Sequence, residues 1–437
     1  MTAPYTEDFQ AASEAGLGPA WLIEARRDAL RRFEQLGFPT PKNEDWHFTS
    51  VAPIAEAGFA TLRAASGDVR ADELAPYLFA DWPTIVFVNG RHAPELSTPD
   101  ERLPEGVRVA SLSAALRGEG GLDDLLDRYL TRVANGEDHA FTALNTALMT
   151  DGAVVHVGKE MVVDAPLHLL FVSDAHAARG ATHPRTLIVA ERHSKAAVVE
   201  SYVGLGEASY FTNAVTEVVV DDGATLQHYR LQRESPRAFH VATTEVKQGR
   251  DSHFVDFVLT MGGSLSRSNV YTLLGGEGCG ATLNGLYLLS GAQHGDHQTR
   301  IEHAEPNCFS RELYKGLLDG SSHGVFNGKV FVRPEAQKTD GKQENNNLLL
   351  SDTAHVDTKP QLEIFADDVK CTHGATVGRL DETALFYMKS RGVNATVARQ
   401  LLTYAFAADV LETIEQPELR EGLEGLALER FTGEESK

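Results

Sequence analysis

Cys371 and His373 are the sharpest chemical pair in the chain. Two residues apart on an extended segment, their side chains leave the same face, so a thiolate sulfur and an imidazole nitrogen can converge on one metal ion. A buried cysteine beside a hydrogen-bonded histidine is the bland alternative for such a pair. A second stretch holds His294, Asp296, His297, His303 and Cys308, residue types that bind zinc or iron. Its spacing follows no helix-borne or knuckle pattern, so His294, His297 and His303 are metal candidates set against a reading as polar faces of strands. Asp367 and Asp368 could offer oxygen to calcium, but strand neighbours point to opposite faces. Cys279, Cys308 and Cys371 are odd in number, widely spaced and without CxxC, which argues against a disulfide framework and a four-cysteine zinc site. Metal chemistry here would need histidine, carboxylate or a partner chain to complete the shell.

Other chemistries fail on spacing. Gly324 to Lys329 reads GxxxGK where a phosphate loop needs GxxxxGK, and Val330 stands where Ser or Thr would hold magnesium. The glycines from Gly276 to Gly280 touch the dinucleotide pattern but run into a strand-like ATLNGLYLL, with no helix dipole for a pyrophosphate. Gly262 to Ser266 lacks the last glycine of a nucleophile elbow. The 437 residues carry 40 Lys plus Arg against 62 Asp plus Glu, and a formal charge of −22 repels a phosphate backbone, so no nucleic acid is expected. No apolar run approaches the ~18 residues of a membrane span, and Met1 to Gly18, with Glu7, Asp8 and Glu14, reads as neither signal nor transit peptide. A cytoplasmic protein away from the membrane is expected.

The elements that must position Cys371 and His373 follow from periodicity. Leu22, Ala25, Ala29, Phe33 and Leu36 share one face of a helix from Pro19 to Leu36, stopped by Gly37. Thr84 to Val88, Asn89-Gly90 and His92 to Leu96 read as a hairpin, and helices are expected at Leu122 to Val133 and about His139 to Leu148. Residues 1–150 form a mainly helical N-terminal region in this reading. From Gly152 the period becomes 2. Strand starts at Ala196, Ala224, Ser252 and Ala281 are spaced by 28, 28 and 29 residues, a repeat that suggests a β-solenoid over residues 151–378. An antiparallel sandwich competes, with Asp222-Gly223 as a hairpin turn. Helices return over residues 379–437. Asp381 caps one that ends at Gly392, Asn394 caps a longer one to about Ile414, and Pro417 opens the last. The stripe Val397, Leu401, Tyr404, Ala405, Ala408, Leu411 must either cap the solenoid or dock a partner.

The run Pro360 to Gly378 (PQLEIFADDVKCTHGATVG), continued by RLDETALFYMKSRG to Gly392, closely resembles the signature of the SufB/SufD family of iron-sulfur cluster assembly proteins. FNGK at Phe326, QKTD at Gln337, Gln343 and NLLLS at Asn347 are also similar to that family, over a continuous match of residues 290–415. KNEDWHFT at Lys42 resembles an element of the SufD branch, and the chain lacks the N-terminal cysteines frequent in the SufB branch. The resemblance implies a mainly β fold, a right-handed parallel β-helix between N- and C-terminal helical regions. It further implies a non-catalytic scaffold subunit in a complex with SufB and the ABC-type ATPase SufC. SufB would pair through the β-helix, with a homodimer as the substitute when the chain is isolated. SufC would dock on the C-terminal helices, through Leu385, Tyr387, Leu401, Tyr404 and Ala405. Cys371 and His373 match the family's thiol and imidazole near the SufB interface, where a transient iron-sulfur cluster would form, shared with SufB and absent from the isolated chain. A stand-alone solenoid enzyme or metal-binding protein is the alternative, resting on the Asp367-Asp368 and His294 to His303 groups.

Overall fold

In the computed structural model, described over residues 3–14, 18–62, 67–79, 81–137 and 139–432, sixteen principal strands wind between Ala153 and Gly378. In chain order these are β1 (Ala153–Val157), β2 (Leu167–Ser173), β3 (Arg185–Ala190), β4 (Lys195–Gly204), β5 (Phe211–Val220), β6 (Thr225–Arg233), β7 (Phe239–Gln248) and β8 (His253–Thr260). The second half comprises β9 (Leu265–Leu274), β10 (Gly280–Leu289), β11 (His294–His303), β12 (Phe309–Leu318), β13 (His323–Val332), β14 (Asp340–Leu349), β15 (His355–Ile364) and β16 (Lys370–Gly378). Odd strands form one sheet and even strands the other. Every pairing within each stack is parallel, so the structure is a two-sheeted β-solenoid and the sandwich alternative is excluded. Asp222-Gly223 is a corner between sheets, with Gly223 at φ 66°.

The coil length is less regular than the expected repeat. Ala196 pairs with Leu226, Thr225 with His253 and His253 with Gly280, steps of 30, 28 and 27 residues. The corners absorb the variation, because backbone pairing fixes the strands while turns can gain or lose residues. Inward side chains of successive coils therefore stack in columns. Phe87, Phe171 and Tyr202 form one such column, with ring centroids 4.8 Å apart at each step, the interstrand spacing of a sheet.

The N-terminal region lies on the outer face of the odd sheet. Helix α1 (Ala20–Leu36) packs Ala29, Leu30 and Phe33 against Phe141, Leu144 and Leu148 of α2 (Ala140–Leu148), and this layer meets the outward Phe211, Val241 and Leu265. Thr84–Val88 and Arg91–His92 form the expected hairpin, with Asn89 and Gly90 at φ 48° and 78°, the paired positive values of a primed turn. Its second strand is short because Pro94 opens a 3-10 turn instead. Thr84–Val88 also pairs in parallel with β2 and extends the even sheet.

One expected helix is cut short by a tertiary contact. The segment Leu122 to Val133 is helical only over Asp123–Tyr129. The backbone N–H groups of Thr131, Val133 and Ala134 donate instead to the Glu217 carboxylate of β5, at 2.8, 2.9 and 3.0 Å, and Thr131 takes φ 65°. Arg185 of β3 donates to the same carboxylate through Nε (2.9 Å) and Nη2 (2.6 Å), and both side chains are fully buried. Removing one partner of such a pair strands the other charge, a cost of about 3–5 kcal/mol. Glu217→Ala should accordingly lower thermal stability by that order and loosen the 131–134 loop; denaturation midpoints and amide exchange of Thr131 to Ala134 check it.

Helices α3 (Glu382–Ser390), α4 (Ala395–Leu411) and α5 (Pro417–Thr432) begin at the expected caps, Asp381 and Asn394 accepting from the N–H of Thr383 and Thr396 at 2.8 Å. They run back along the outer face of the even sheet. Ala407, Val410, Leu411, Leu419 and Leu423 pack on Tyr229, Phe257, Leu286, Leu288 and Leu317, and the Lys315 ammonium reaches Asp409 at 2.6 Å. The solenoid end at β15 and β16 is therefore not capped by these helices.

Candidate functional site

Alternation along β16 sends Cys371, His373, Ala375 and Val377 to the face shared with the lumen-facing residues of β14. Cys371 pairs with Gly341 and His373 with Gln343. Gly341 faces the thiol, and a Cβ there would stand 3.4 Å from Cys371 Sγ, an ordinary van der Waals contact. Cys371 is half-buried, in contact with the small apolar cluster of Val330, Val332, Ala336 and Ala366, and His373 is exposed at the mouth. Burial pushes the Cys371 pKa above its ordinary value. β16 is the last strand of the even sheet and β15 of the odd one, and among the described residues no strand lies beside the outer edge of either. Pro360, midway along β15, lacks an N–H and suits an edge.

Below this mouth the lumen is polar, which sequence reading did not anticipate. His373, Gln343 and Glu312 occupy equivalent positions on β16, β14 and β12, about 5 Å apart per step. Gln343 Nε2 donates to Glu312 Oε2 at 2.6 Å, and the Thr299 hydroxyl donates to its other oxygen. Space for the Gln343 amide exists because Gly328 faces it from the odd sheet; a Cβ there would come within 2.3 Å. Burial raises the Glu312 pKa to about 7, against the opposing hydrogen bonds from Thr299 and Gln343. Deeper still, His228 lies between Asp256 (2.7 Å) and Glu200 (3.2 Å). Burial alone would lower its pKa, but these two carboxylates outweigh that and push it up to about 9. Glu312 and Gln343 lie 31 residues apart in the chain, so their stacking is visible only once the register is known.

The histidine stretch does not assemble. His297 and His303 point inward and bond separately to Thr260 (3.0 Å) and Ser310 (3.0 Å), while His294 points outward to Thr49 (2.9 Å). These three cannot share one ion, because β11 sends odd and even positions to opposite faces. Cys279 and Cys308 stack at one buried corner, one coil apart. The Cys308 thiol's hydrogen bond lowers Cys279 to about 7, and Cys308 itself is pushed up.

The expected docking residues divide. Leu385 is 5% exposed and belongs to the packing, so it is removed from the docking set. Tyr387 (59%) and Leu401 (46%) project into solvent with Ala405 and the neighbouring Phe386 (72%), while Tyr404 is half-buried. α4 buries Ala398, Thr403, Ala407, Val410 and Leu411, a face rotated from the expected stripe, because apolar residues surround most of this helix and periodicity cannot choose between its faces.

Fold and site together define a β-solenoid with a thiol and an imidazole at an unpaired end. Residues 171–406 match the SUF system FeS cluster assembly SufBD core domain, and residues 5–169 match the SufBD protein N-terminal region. An iron-sulfur cluster assembly SufBD family protein of Synechocystis is 34% identical over 93% of this chain and 92% of its own length. The iron-sulfur cluster assembly protein SufD of Escherichia coli is 33% identical over 90% and 89%. SufD of Bacillus subtilis is 29% identical over 93% of both chains. This chain belongs to the SufB/SufD family and has a role in iron-sulfur cluster assembly. No described helix is long and apolar enough to cross a membrane.

Glu312 gives the lumen a pH signature. Its folded pKa of about 7 exceeds its ordinary value of 4.5, so the folded state holds a proton that the unfolded chain releases. Stability therefore falls as pH rises through that window and levels off above it. Glu312→Gln should raise stability at pH 8 by up to about 3 kcal/mol and leave it nearly unchanged at pH 4. Parallel denaturation profiles for the two proteins would contradict this.

Proposed function

We propose that this chain is a non-catalytic scaffold subunit of a SufBCD complex, the nascent cluster forming where the open end of its solenoid meets SufB. The observation that carries the reading is that Cys371 and His373 sit on the strand whose edge is free, at the mouth of the lumen. A free strand edge presents a row of backbone donors and acceptors to a second chain, and a homologous solenoid end complements it in kind. Without SufB, a second copy of this chain can use the same edges. Cluster ligands are then shared: one thiol and one imidazole leave the remaining positions to SufB, and the cluster is transient cargo.

SufC, the expected source of ATPase activity, docks in this proposal on the outer side of α3 and α4 through Tyr387, Leu401, Tyr404 and Ala405. The opposite side of α4 and α5 covers the even sheet, so docking leaves the fold undisturbed.

Two experiments test these assignments. Cys371→Ala and His373→Ala should each leave the complex with SufB and SufC intact on co-purification while cluster formation in the reconstituted complex falls at least about tenfold, the scale of a lost ligand or its supporting contact; full assembly by both variants would remove the pair from the proposal. Tyr387→Ala with Leu401→Asp should release SufC and spare SufB pairing, with an unchanged melting temperature for the isolated chain. Retained SufC would place its docking surface elsewhere.

A further inference from the structure

On the outer face of the odd sheet the register stacks three histidines, His294 of β11, His323 of β13 and His355 of β15. The His294 and His323 rings meet edge-on at 4.6 Å between centroids, and those of His323 and His355 stack at 3.9 Å. Two strands carry the same His-x-Asp pattern, His294 with Asp296 and His355 with Asp357, so each carboxylate lies on the histidine face. The two ends of this ladder differ. At the inner end Asp296 is fully buried and committed: it accepts from Thr49 (2.5 Å), Arg267 (2.5 Å) and Gln298 (2.7 Å). His294 is bonded to the same Thr49. At the open end His355 is exposed and Asp357 only half-buried. Asp357 meets His323 Nε2 at 2.8 Å, and among the described residues no lysine or arginine forms an ion pair with it.

We propose that His323, His355 and Asp357 form a binding site for a divalent first-row transition ion, separate from the Cys371 and His373 pair. The ligand atoms of the three lie within 4.8 Å of one another, close enough for small side-chain rotations to bring them to the about 2.0–2.2 Å bonds such ions require. Two imidazole nitrogens and one carboxylate oxygen suit zinc and its neighbours, and they disfavour calcium and magnesium, which take all-oxygen shells. Three protein ligands leave a position for water or for a group from a docked chain. The pair at Cys371 is distant and faces the other way. His355 opens β15 and Cys371 follows its far end, a strand length of about 30 Å, and the histidines point outward where the thiol points into the lumen.

The test uses the full chain, stripped with chelator and titrated with Zn²⁺ by calorimetry, with Co²⁺ absorption as a second readout of the ligand set. One equivalent should bind the wild type and raise its melting temperature. His355→Ala and Asp357→Asn change partly exposed side chains on a terminal strand, so they should fold; each should weaken binding at least about tenfold and abolish the thermal shift. Cys371→Ala with His373→Ala should bind as the wild type does. Absence of stoichiometric binding, unchanged affinity in His355→Ala and Asp357→Asn, or loss of binding in the Cys371 and His373 variant would each overturn the proposal. None of these outcomes depends on the SufBCD assignment.

Discussion

Everything in this molecule hangs on the parallel, in-register backbone ladder of the solenoid. Once one coil pairs with the next, each strand position becomes a column of side chains about 4.8 Å apart, and a residue's neighbours are set by register rather than by sequence distance. Near the N-terminal end the columns are aromatic and aliphatic, as in Phe87, Phe171 and Tyr202. Toward the other end they turn polar, through His228, Glu312 and Gln343 to His373. The same ladder that buries these groups ends on an unpaired strand, so the chemistry of the last coil is exposed by the geometry that hides the rest.

The two outer faces are treated differently from that end. N-terminal helices and loops cover the odd sheet, held by fully buried charge pairs, Arg185 with Glu217 and Arg267 with Asp296. Such pairs add little net stability compared with apolar packing, but breaking one is expensive, so they fix which loop lies on which strand. Arg267 also lies 3.6 Å over the Trp46 ring and donates to the Asp45 carbonyl, which seats the Lys42 to Thr49 segment against β9. The C-terminal helices cover the even sheet by apolar contact. Glu44 of the N-terminal layer meets Lys359 of β15 at 2.9 Å, but no described strand pairs with the outer edges of β15 and β16, which leaves a hydrogen-bond-competent surface beside the candidate thiol and imidazole. The outward histidine ladder meets that same edge from the other sheet.

Much of this was legible in the residues. The helix caps at Asp381 and Asn394, the Asn89-Gly90 turn, the switch of period near Gly152 and the shared face of Cys371 and His373 all follow from local stereochemistry, and each stands in the structure. The failures have a common cause. The repeat alignment slipped by two residues at Ala196 because corner lengths vary. The helix beyond Tyr129 ended early because Glu217 took its N–H groups. Leu385 is covered by packing, and α4 buries a face rotated from the expected stripe, because an apolar residue does not announce whether a sheet or a partner will cover it.

The sequence alone carried the family resemblance and the shared face of Cys371 and His373, since motif and i, i+2 spacing are properties of neighbouring residues, while its period of 2 left the solenoid and the sandwich both open. Only the tertiary structure decided which side chains share a column and which face each column occupies. It separated His294 from His297 and His303, joined His323 to His355 and Asp357, and placed Glu312 under His373. Those contacts span about 30 residues of chain between successive coils, and no local pattern encodes a register that the corners are free to shift.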